Sequence, residues 1–239
     1  METKKRYDRM FPCFIPQEKA PEFQSVATIE FPNCITSSQE RVINPLNDRR
    51  LKVSATKEWP FCAHGVISWT KNGASITGSG TLIGPDLDSS SAPVESIAFH
   101  PGADGYHNPF GVYKVEKYFI PDDYLKNNNE DYAVLKLSNT KIGNTIGYFG
   151  LCNGEEEVSS LINDQTDVYI YGYPYDKIQK NPRRREMWGH EGKILEMTEN
   201  KVVYYDIDTN PGQSGSAVYK INKDNKCFVI AVHCRGSIN

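Results

Sequence analysis

The sequence predicts an all-β protein built from antiparallel strands. From Val42 onward, short runs rich in Val, Ile, Tyr, Thr and Phe alternate with clusters of Gly, Asn, Asp and Pro, a pattern typical of sandwiches and barrels. No run keeps a sustained apolar period of 3.6 residues, as an extended amphipathic helix would. The 239 residues suffice for one compact unit whose core needs no metal or disulfide.

The first half of the chain contains four predicted strands. Ala63–Trp69 and Ser79–Ile83 form a predicted hairpin around Lys71-Asn72-Gly73, because Asn-Gly favours a tight turn between two strands. Gly111–Phe119 and Tyr132–Leu137 follow as two further runs of strand-forming residues. These elements predict one antiparallel unit before about residue 137.

The second half contains five predicted strands and one short helix. Glu155–Asn163 is the helix, and it is too brief to change the fold class. The strands are Asp167–Tyr171, Glu191–Met197, Val202–Ile207, Ala217–Ile221 and Phe228–His233. They predict a second antiparallel unit.

The composition argues against two classes of partner. A formal net charge of −3 leaves no basic excess to neutralise a phosphate backbone, so no nucleic-acid partner is expected. No stretch reaches the roughly 18 apolar residues of a membrane span. Met1–Arg6 is followed by no apolar segment of the kind found in signal peptides, so we expect neither a signal peptide in this chain nor a membrane partner.

A serine turn carries the chemistry that the sequence suggests. A serine hydroxyl becomes a nucleophile only beside a base, and the oxyanion that it forms needs hydrogen-bond donors. In Gly212-Gln213-Ser214 the backbone N–H groups of Gly212 and Ser214 can be those donors, because glycine permits the required backbone angles. The alternative is a plain tight turn between strands. The Gly-x-Ser-x-Gly elbow of α/β-hydrolases is excluded, since residue 216 is serine.

Around this turn the chain resembles the glutamyl endopeptidase branch of the trypsin-like serine proteases. The segments that carry the resemblance are Asn47–Arg50, Gly78–Gly84, Gly172–Pro174, Met187-Trp188 and Tyr205–Ser216. The resemblance implies a trypsin-like fold of two antiparallel six-stranded β-barrels, at about 42–137 and 145–239, and leaves open an incomplete first barrel. It further implies a protease domain at 42–239 behind a pro-segment or N-terminal extension at 1–41.

The resemblance also implies which residues would form the catalytic set. Ser214 corresponds to the nucleophile, and Asp131 corresponds to the carboxylate that orients the base. The histidine expected soon after Gly84-Pro85 is absent, because the chain contains no histidine between there and Ala98. Chain order leaves His100 and His107 as replacements, although an ordinary strand residue is the better explanation of His100 and an ordinary loop residue that of His107.

Three further residues match the positions with which the family recognises a glutamate side chain. They are Thr209, His233 and the α-amino group of Val42, which would be released by cleavage after Arg41. A hydroxyl, an imidazole and an ammonium are suitable donors for one buried carboxylate. The alternative for Thr209 is a turn residue, and for His233 a strand residue beside the core.

The resemblance therefore implies a serine endopeptidase that acts through an acyl-enzyme on Ser214 and prefers glutamate at the cleaved position. It implies a secreted monomer that takes peptide or protein substrates and uses no cofactor and no metal. Because this chain lacks the histidine, the hydrolytic activity of the chain itself is in doubt. The alternative function is that of a non-catalytic homologue that binds peptides or proteins.

Overall fold

A computed structural model describes residues 8–11, 48–71, 74–84, 97–121, 131–138, 141–152, 154–177, 184–199 and 201–236. Within these ranges the protein consists of two antiparallel sheets with two short helices, so the predicted all-β class is confirmed. None of the described helices is long and apolar enough to cross a membrane. Val42 and the turn residues Asn72 and Gly73 lie outside the described residues.

The first sheet contains five described strands in the order β4-β3-β5-β6-β7. The predicted hairpin is confirmed, since β3 and β4 pair antiparallel over their whole length, with His64 opposite Thr81. Small residues continue β4 in the N-terminal direction beyond its predicted start. The strands are β3 (His64–Lys71), β4 (Ala74–Thr81), β5 (Ile97–Pro101), β6 (Tyr113–Phe119) and β7 (Val134–Leu137).

The second sheet contains all five strands predicted for the second half. The pairing order of the larger strands is β11-β10-β9-β12-β13, and every neighbouring pair is antiparallel. In β9, burial alternates along the strand, as expected for a sheet with one face on a core. Their bounds are β9 (Asp167–Gly172), β10 (Trp188–Met197), β11 (Val203–Tyr205), β12 (Ala217–Ile221) and β13 (Cys227–Gly236).

Besides β5, three short strands among the described residues were not predicted from the sequence. Of these, β2 (Leu51–Lys52) pairs with β10, and β8 (Gly150–Leu151) runs parallel to β13. The third, β1 (Asp8–Phe11), pairs antiparallel with both β11 and β13. The pairings of β11, β10, β9, β12, β13 and β1 therefore form a ring of six strands.

Two helices accompany the sheets in the described part of the chain. The predicted helix is confirmed as α2 (Glu155–Asn163), which buries Val158 and Leu161 against the second sheet. Three glutamates in its first turn suit the positive end of the helix dipole. The other helix, α1 (Ile142–Ile146), is a single short turn in the connection between the sheets.

The buried side chains form a core inside the second sheet and a cluster between the two sheets. The cluster between the sheets combines Phe99 of β5 with Tyr219 of β12, and Phe149 of the connection packs 4.7 Å from the Tyr219 ring centroid. Burial of large aromatic side chains contributes strongly to the stability of such a junction. The serine turn between β11 and β12 therefore lies where the two sheets meet.

Candidate active site

The loop that carries Ser214 connects β11 to β12. Ser214 is exposed, whereas Gln213 and Ser216 on either side are fully buried. The Ser214 hydroxyl donates a hydrogen bond of 3.3 Å to the Cys234 carbonyl on β13. Gly212 has φ +99°, and a side chain there would lie 2.5 Å from the Tyr173 carbonyl, so both the angle and the space require glycine. The turn thus presents one hydroxyl to solvent from a fixed backbone.

Two peptide groups of this loop are oriented by hydrogen bonds on their carbonyl sides. The Pro211 carbonyl accepts from the Tyr175 N–H at 2.8 Å, and the Gln213 carbonyl accepts from the Ser216 N–H at 3.0 Å. In a trans peptide the N–H points away from the carbonyl. The N–H groups of Gly212 and Ser214 therefore face away from those donors, and neither has an acceptor among the described residues. Both remain available for a developing oxyanion.

Ser79 on β4 ties the loop to the first sheet. Its N–H donates to the Ser214 carbonyl at 2.9 Å, and its hydroxyl donates to the Gly212 carbonyl at 2.8 Å. The same hydroxyl accepts from the Tyr173 N–H at 2.9 Å. A side chain at Gly215 would collide with the Ser79 carbonyl, so the two sheets meet here backbone against backbone.

A buried arginine holds the other side of the loop. The fully buried guanidinium of Arg50 donates to Gln213 Oε1 at 3.3 Å and to the carboxylates of Asp48 and Asp176 at 2.9 and 2.5 Å. Gln213 Oε1 also accepts the N–H of Asn210 at 3.0 Å. Burial lowers the pKa of Arg50, but the hydrogen bonds that it donates to the two carboxylates, together with their charge, outweigh burial and leave the pKa raised. The ion group therefore stays charged and fixes the Gln213 side chain.

No hydrogen bond between the described residues joins Asp131 to Ser214. Its Oδ2 accepts hydrogen bonds from Arg235 Nε at 3.3 Å and Nη2 at 3.2 Å. Arg235 follows Cys234, the residue whose carbonyl receives the Ser214 hydroxyl. Ser214 and Asp131 thus contact adjacent residues of β13. The Asp131 carboxylate is hydrogen-bonded to an arginine rather than to a histidine.

The two replacement histidines are bound or placed elsewhere. His100 Nε2 lies 2.8 Å from the Ser68 hydroxyl, and its Nδ1 lies 2.8 Å from Arg185 Nη1 and 3.1 Å from the Asn108 side-chain oxygen. Burial, followed by the charge of Arg185, lowers the pKa of His100 to about 4. His107 is exposed in a turn where it pairs with Asp104. Among the described residues, no hydrogen bond joins either ring to Ser214.

The other three histidines of the sequence are also inside the described ranges. His64 shares a 2.9 Å hydrogen bond with the Thr81 hydroxyl, and burial lowers its pKa to about 3. His190 receives the N–H of Asp208 on Nε2 at 2.7 Å. His233 Nδ1 lies 2.6 Å from the Tyr205 hydroxyl. In the described part of the chain, none of these rings is hydrogen-bonded to Ser214.

Two of the three predicted glutamate-recognition residues lie close to the serine loop. Thr209 is buried in the segment that leads into it. The His233 carbonyl accepts from the Gly215 N–H at 2.7 Å, and the His233 N–H donates to the Ser216 carbonyl at 2.9 Å. Val42 lies outside the described residues, so the role of its amino group stays a prediction.

Three residues of this site were not predicted to belong to it. Ser79 and Arg50 stood inside segments that carried the resemblance, but their contacts with the loop span 133 and 163 positions of sequence. Tyr205 is the first residue of the matching segment Tyr205–Ser216, which by itself assigns it no role. A local pattern carries no signal for contacts of this length.

Known proteins that are similar to this chain include a sequence relative and a solved structure. Glutamyl endopeptidase from Bacillus licheniformis is 34% identical over 206 residues, which are 80% of this chain and 60% of that protein. This chain thus spans 60% of the length of that relative. A solved structure of a Glu endopeptidase in complex with MPD superposes with a TM-score of 0.57 at 25% identity, covering 79% of this chain and 92% of that chain. No protein-family model matches the chain.

Proposed function

This chain is a homologue of the glutamyl endopeptidases, a branch of the trypsin-like serine proteases, and from this premise we propose that Ser214 is the nucleophile of a peptide-cleaving site that prefers glutamate. The observation that carries the proposal is the serine loop itself. Its hydroxyl is exposed, and the N–H groups of Gly212 and Ser214 have no acceptor of their own in the described part of the chain.

The chemistry proposed for this loop is acyl transfer. The Ser214 oxygen attacks the peptide carbonyl, the two N–H groups stabilise the oxyanion, and collapse releases the amine and leaves an acyl-enzyme that water hydrolyses. Attack requires that a base accept the hydroxyl proton. Since none of the chain's histidines is hydrogen-bonded to Ser214 within the described ranges, turnover is expected to be slow. Nucleophile-deficient or base-deficient triads retain about 10³- to 10⁴-fold acceleration over water.

Glutamate preference is supported by the chemistry next to the loop. His233 is buried, and burial lowers its pKa to about 4, so at neutral pH it is a neutral ring with one N–H to donate. Thr209 adds a hydroxyl in the segment before the loop. Donation to a carboxylate gives stronger hydrogen bonds than donation to a neutral amide. Removal of residues 1–41 and secretion, which the resemblance implies, belong to the same proposal.

A second candidate function is peptide binding without cleavage. The observation that favours it is the ion pair between Asp131 and Arg235, which occupies the carboxylate that would otherwise orient a base. In that case the surface around the serine loop would hold an acidic peptide, while the Ser214 hydroxyl keeps its hydrogen bond to the Cys234 carbonyl.

One experiment separates these functions. The protein is treated with a fluorophosphonate, which modifies activated serines, and titrated calorimetrically with peptides that differ only by Glu or Gln at one position. We expect slow labelling that Ser214→Ala abolishes, and binding of the Glu peptide about tenfold or more tighter, because a charged hydrogen bond contributes about 1.5–3 kcal/mol. Ser54→Ala, an exposed serine far along the chain from the loop, is the control.

Each outcome has a definite meaning. Selective binding without any labelling of Ser214 supports the binding function and contradicts the nucleophile. Labelling without a difference between the two peptides contradicts glutamate preference. If Ser214 is not labelled and neither peptide binds, the proposal as a whole is overturned.

A further inference from the structure

Tyr205 and His233 form a buried pair beside the serine loop. Tyr205 ends β11 and is 1% exposed, and His233 on β13 is 3% exposed. The Tyr205 hydroxyl lies 2.6 Å from His233 Nδ1, and the two rings meet edge to face with their centroids 6.2 Å apart. The pair joins two strands that have no direct pairing with each other in the second sheet.

The backbone of β13 places His233 next to the nucleophile. His233 exchanges backbone hydrogen bonds with Gly215 and Ser216, and the residue after it receives the Ser214 hydroxyl. The Nδ1 atom is occupied by Tyr205, whereas Nε2 has no hydrogen-bond partner among the described residues. Nε2 is therefore the ring nitrogen that is left to bind a ligand.

The tautomer of the ring decides what Nε2 can do. A neutral imidazole has one N–H and one lone pair, so Nε2 is either a donor or an acceptor. A phenol hydroxyl, with an ordinary pKa near 10, is a good donor, and an imidazole nitrogen, whose conjugate acid has a pKa near 6.5, is a good acceptor. The stronger arrangement is therefore donation from the Tyr205 hydroxyl to Nδ1, which leaves the proton on Nε2.

We propose that Tyr205 is a positioning residue for glutamate recognition, because its hydroxyl fixes His233 in the tautomer that presents Nε2–H to the carboxylate of the bound side chain. The glutamate substrate in this inference rests on the proposed function. The tautomer of His233 does not depend on it. Burial lowers the pKa of His233 to about 4. The ring then stays a neutral donor, and binding of a glutamate side chain requires no proton uptake near neutral pH.

The test is Tyr205→Phe, which keeps the ring and removes only the hydroxyl. In ligand-free protein labelled with ¹⁵N-histidine, two-bond ¹H–¹⁵N correlation spectra report which nitrogen of each ring carries the proton. We expect His233 to be protonated on Nε2 in the wild type and to gain the Nδ1-protonated form in the variant. Tyr113→Phe is the matched control, because that hydroxyl binds the Phe110 carbonyl in the first sheet at 2.8 Å.

A second readout uses the Glu and Gln peptides. The preference for Glu over Gln is expected to fall about tenfold in Tyr205→Phe, because part of the His233 population then lacks the proton on Nε2, whereas Tyr113→Phe keeps the wild-type ratio. An unchanged His233 tautomer in the variant overturns the role of Tyr205. A changed tautomer with an unchanged peptide ratio overturns its role in recognition. If wild-type protein shows no preference at all, the proposed function fails, while the tautomer spectra still decide what Tyr205 does.

Discussion

At the scale of single residues, the conformation of the serine loop depends on polar side chains outside it. Ser79 holds two of its carbonyls, and Arg50 holds the side chain of Gln213. Arg50 is the more consequential of the two, because its buried charge is balanced by Asp48 and Asp176 and cannot be removed without leaving those carboxylates unpaired.

Replacement of Arg50 tests this support. We expect Arg50→Met to lower the free energy of unfolding by on the order of 3 kcal/mol, because breaking a buried ion pair leaves uncompensated charge. Arg50→Lys should recover part of the loss, since it restores the charge without the planar fork. Urea unfolding measures both variants.

The control for Arg50 is an exposed arginine with one carboxylate partner. Arg184 pairs with Glu186 at 2.8 Å while its own side chain is 40% exposed. Arg184→Met is expected to change the unfolding free energy by no more than about 1 kcal/mol, because the Arg184 side chain is partly exposed and Glu186 keeps its ion pair with Lys52. Equal losses at Arg50 and Arg184 would contradict the importance of the buried group.

At the scale of elements, the N-terminal strand has the least expected place. Residues 1–41 were predicted as a pro-segment or extension, yet Asp8–Phe11 is a strand between β11 and β13. Its partners include Tyr205 and His233, the two residues of the proposed recognition pair. After cleavage at Arg41, which remains a prediction, β1 would no longer be covalently joined to the other strands of the second sheet.

A proline in β1 tests whether this strand supports its neighbours. Met10 is opposite Val203 on one side and His233 on the other. Proline lacks the N–H donor and is poorly tolerated in a strand with neighbours on both sides. We expect Met10→Pro to reduce amide protection in β11 and β13 by the equivalent of about 1–3 kcal/mol, the cost of buried groups left unpaired. Hydrogen exchange followed by mass spectrometry measures it.

The matched variant at the same position is Met10→Ala, which keeps the backbone donor. Protection in β11 and β13 should stay closer to the wild type in Met10→Ala than in Met10→Pro, and β3 should be unaffected in both. If Met10→Pro leaves the hydrogen exchange of β11 and β13 unchanged, the pairing of β1 with these strands is refuted.

At the scale of the whole molecule, neutral histidines are buried at the junction and in the sheets. His64 of the first sheet packs 5.3 Å from the ring centroid of Tyr219 in the second and 5.1 Å from that of Phe149. Burial lowers the pKa of His64 to about 3 and that of His233 to about 4, and burial with the charge of Arg185 lowers that of His100 to about 4. All three are neutral in the folded protein near neutral pH.

Stability should therefore decrease as the pH falls. In the unfolded chain each histidine takes up a proton near its ordinary pKa of about 6.5, whereas in the folded protein it does so only near 3 or 4. Between these values the unfolded state binds more protons, so each group lowers the unfolding free energy by up to about 1.4 kcal/mol per pH unit. Urea unfolding between pH 7 and 4.5 measures the slope.

Single substitutions assign this slope. His64→Phe should flatten the pH dependence, because it removes one buried titrating ring from the junction. A slope that is the same in wild type and His64→Phe would show that the ring does not contribute.

The sequence by itself determined the all-β class, the hairpin of β3 and β4, the helix α2 and the family resemblance around Ser214. These features arise from local patterns: alternation along a strand, turn residues, and one short motif. Only the tertiary structure decided that Arg235 binds Asp131, that β1 pairs with two strands of the second sheet, and that Tyr205 binds His233. Each of these contacts joins positions far apart in the chain, and a side chain's partner across such a distance is set by how the strands pack rather than by its neighbours in sequence.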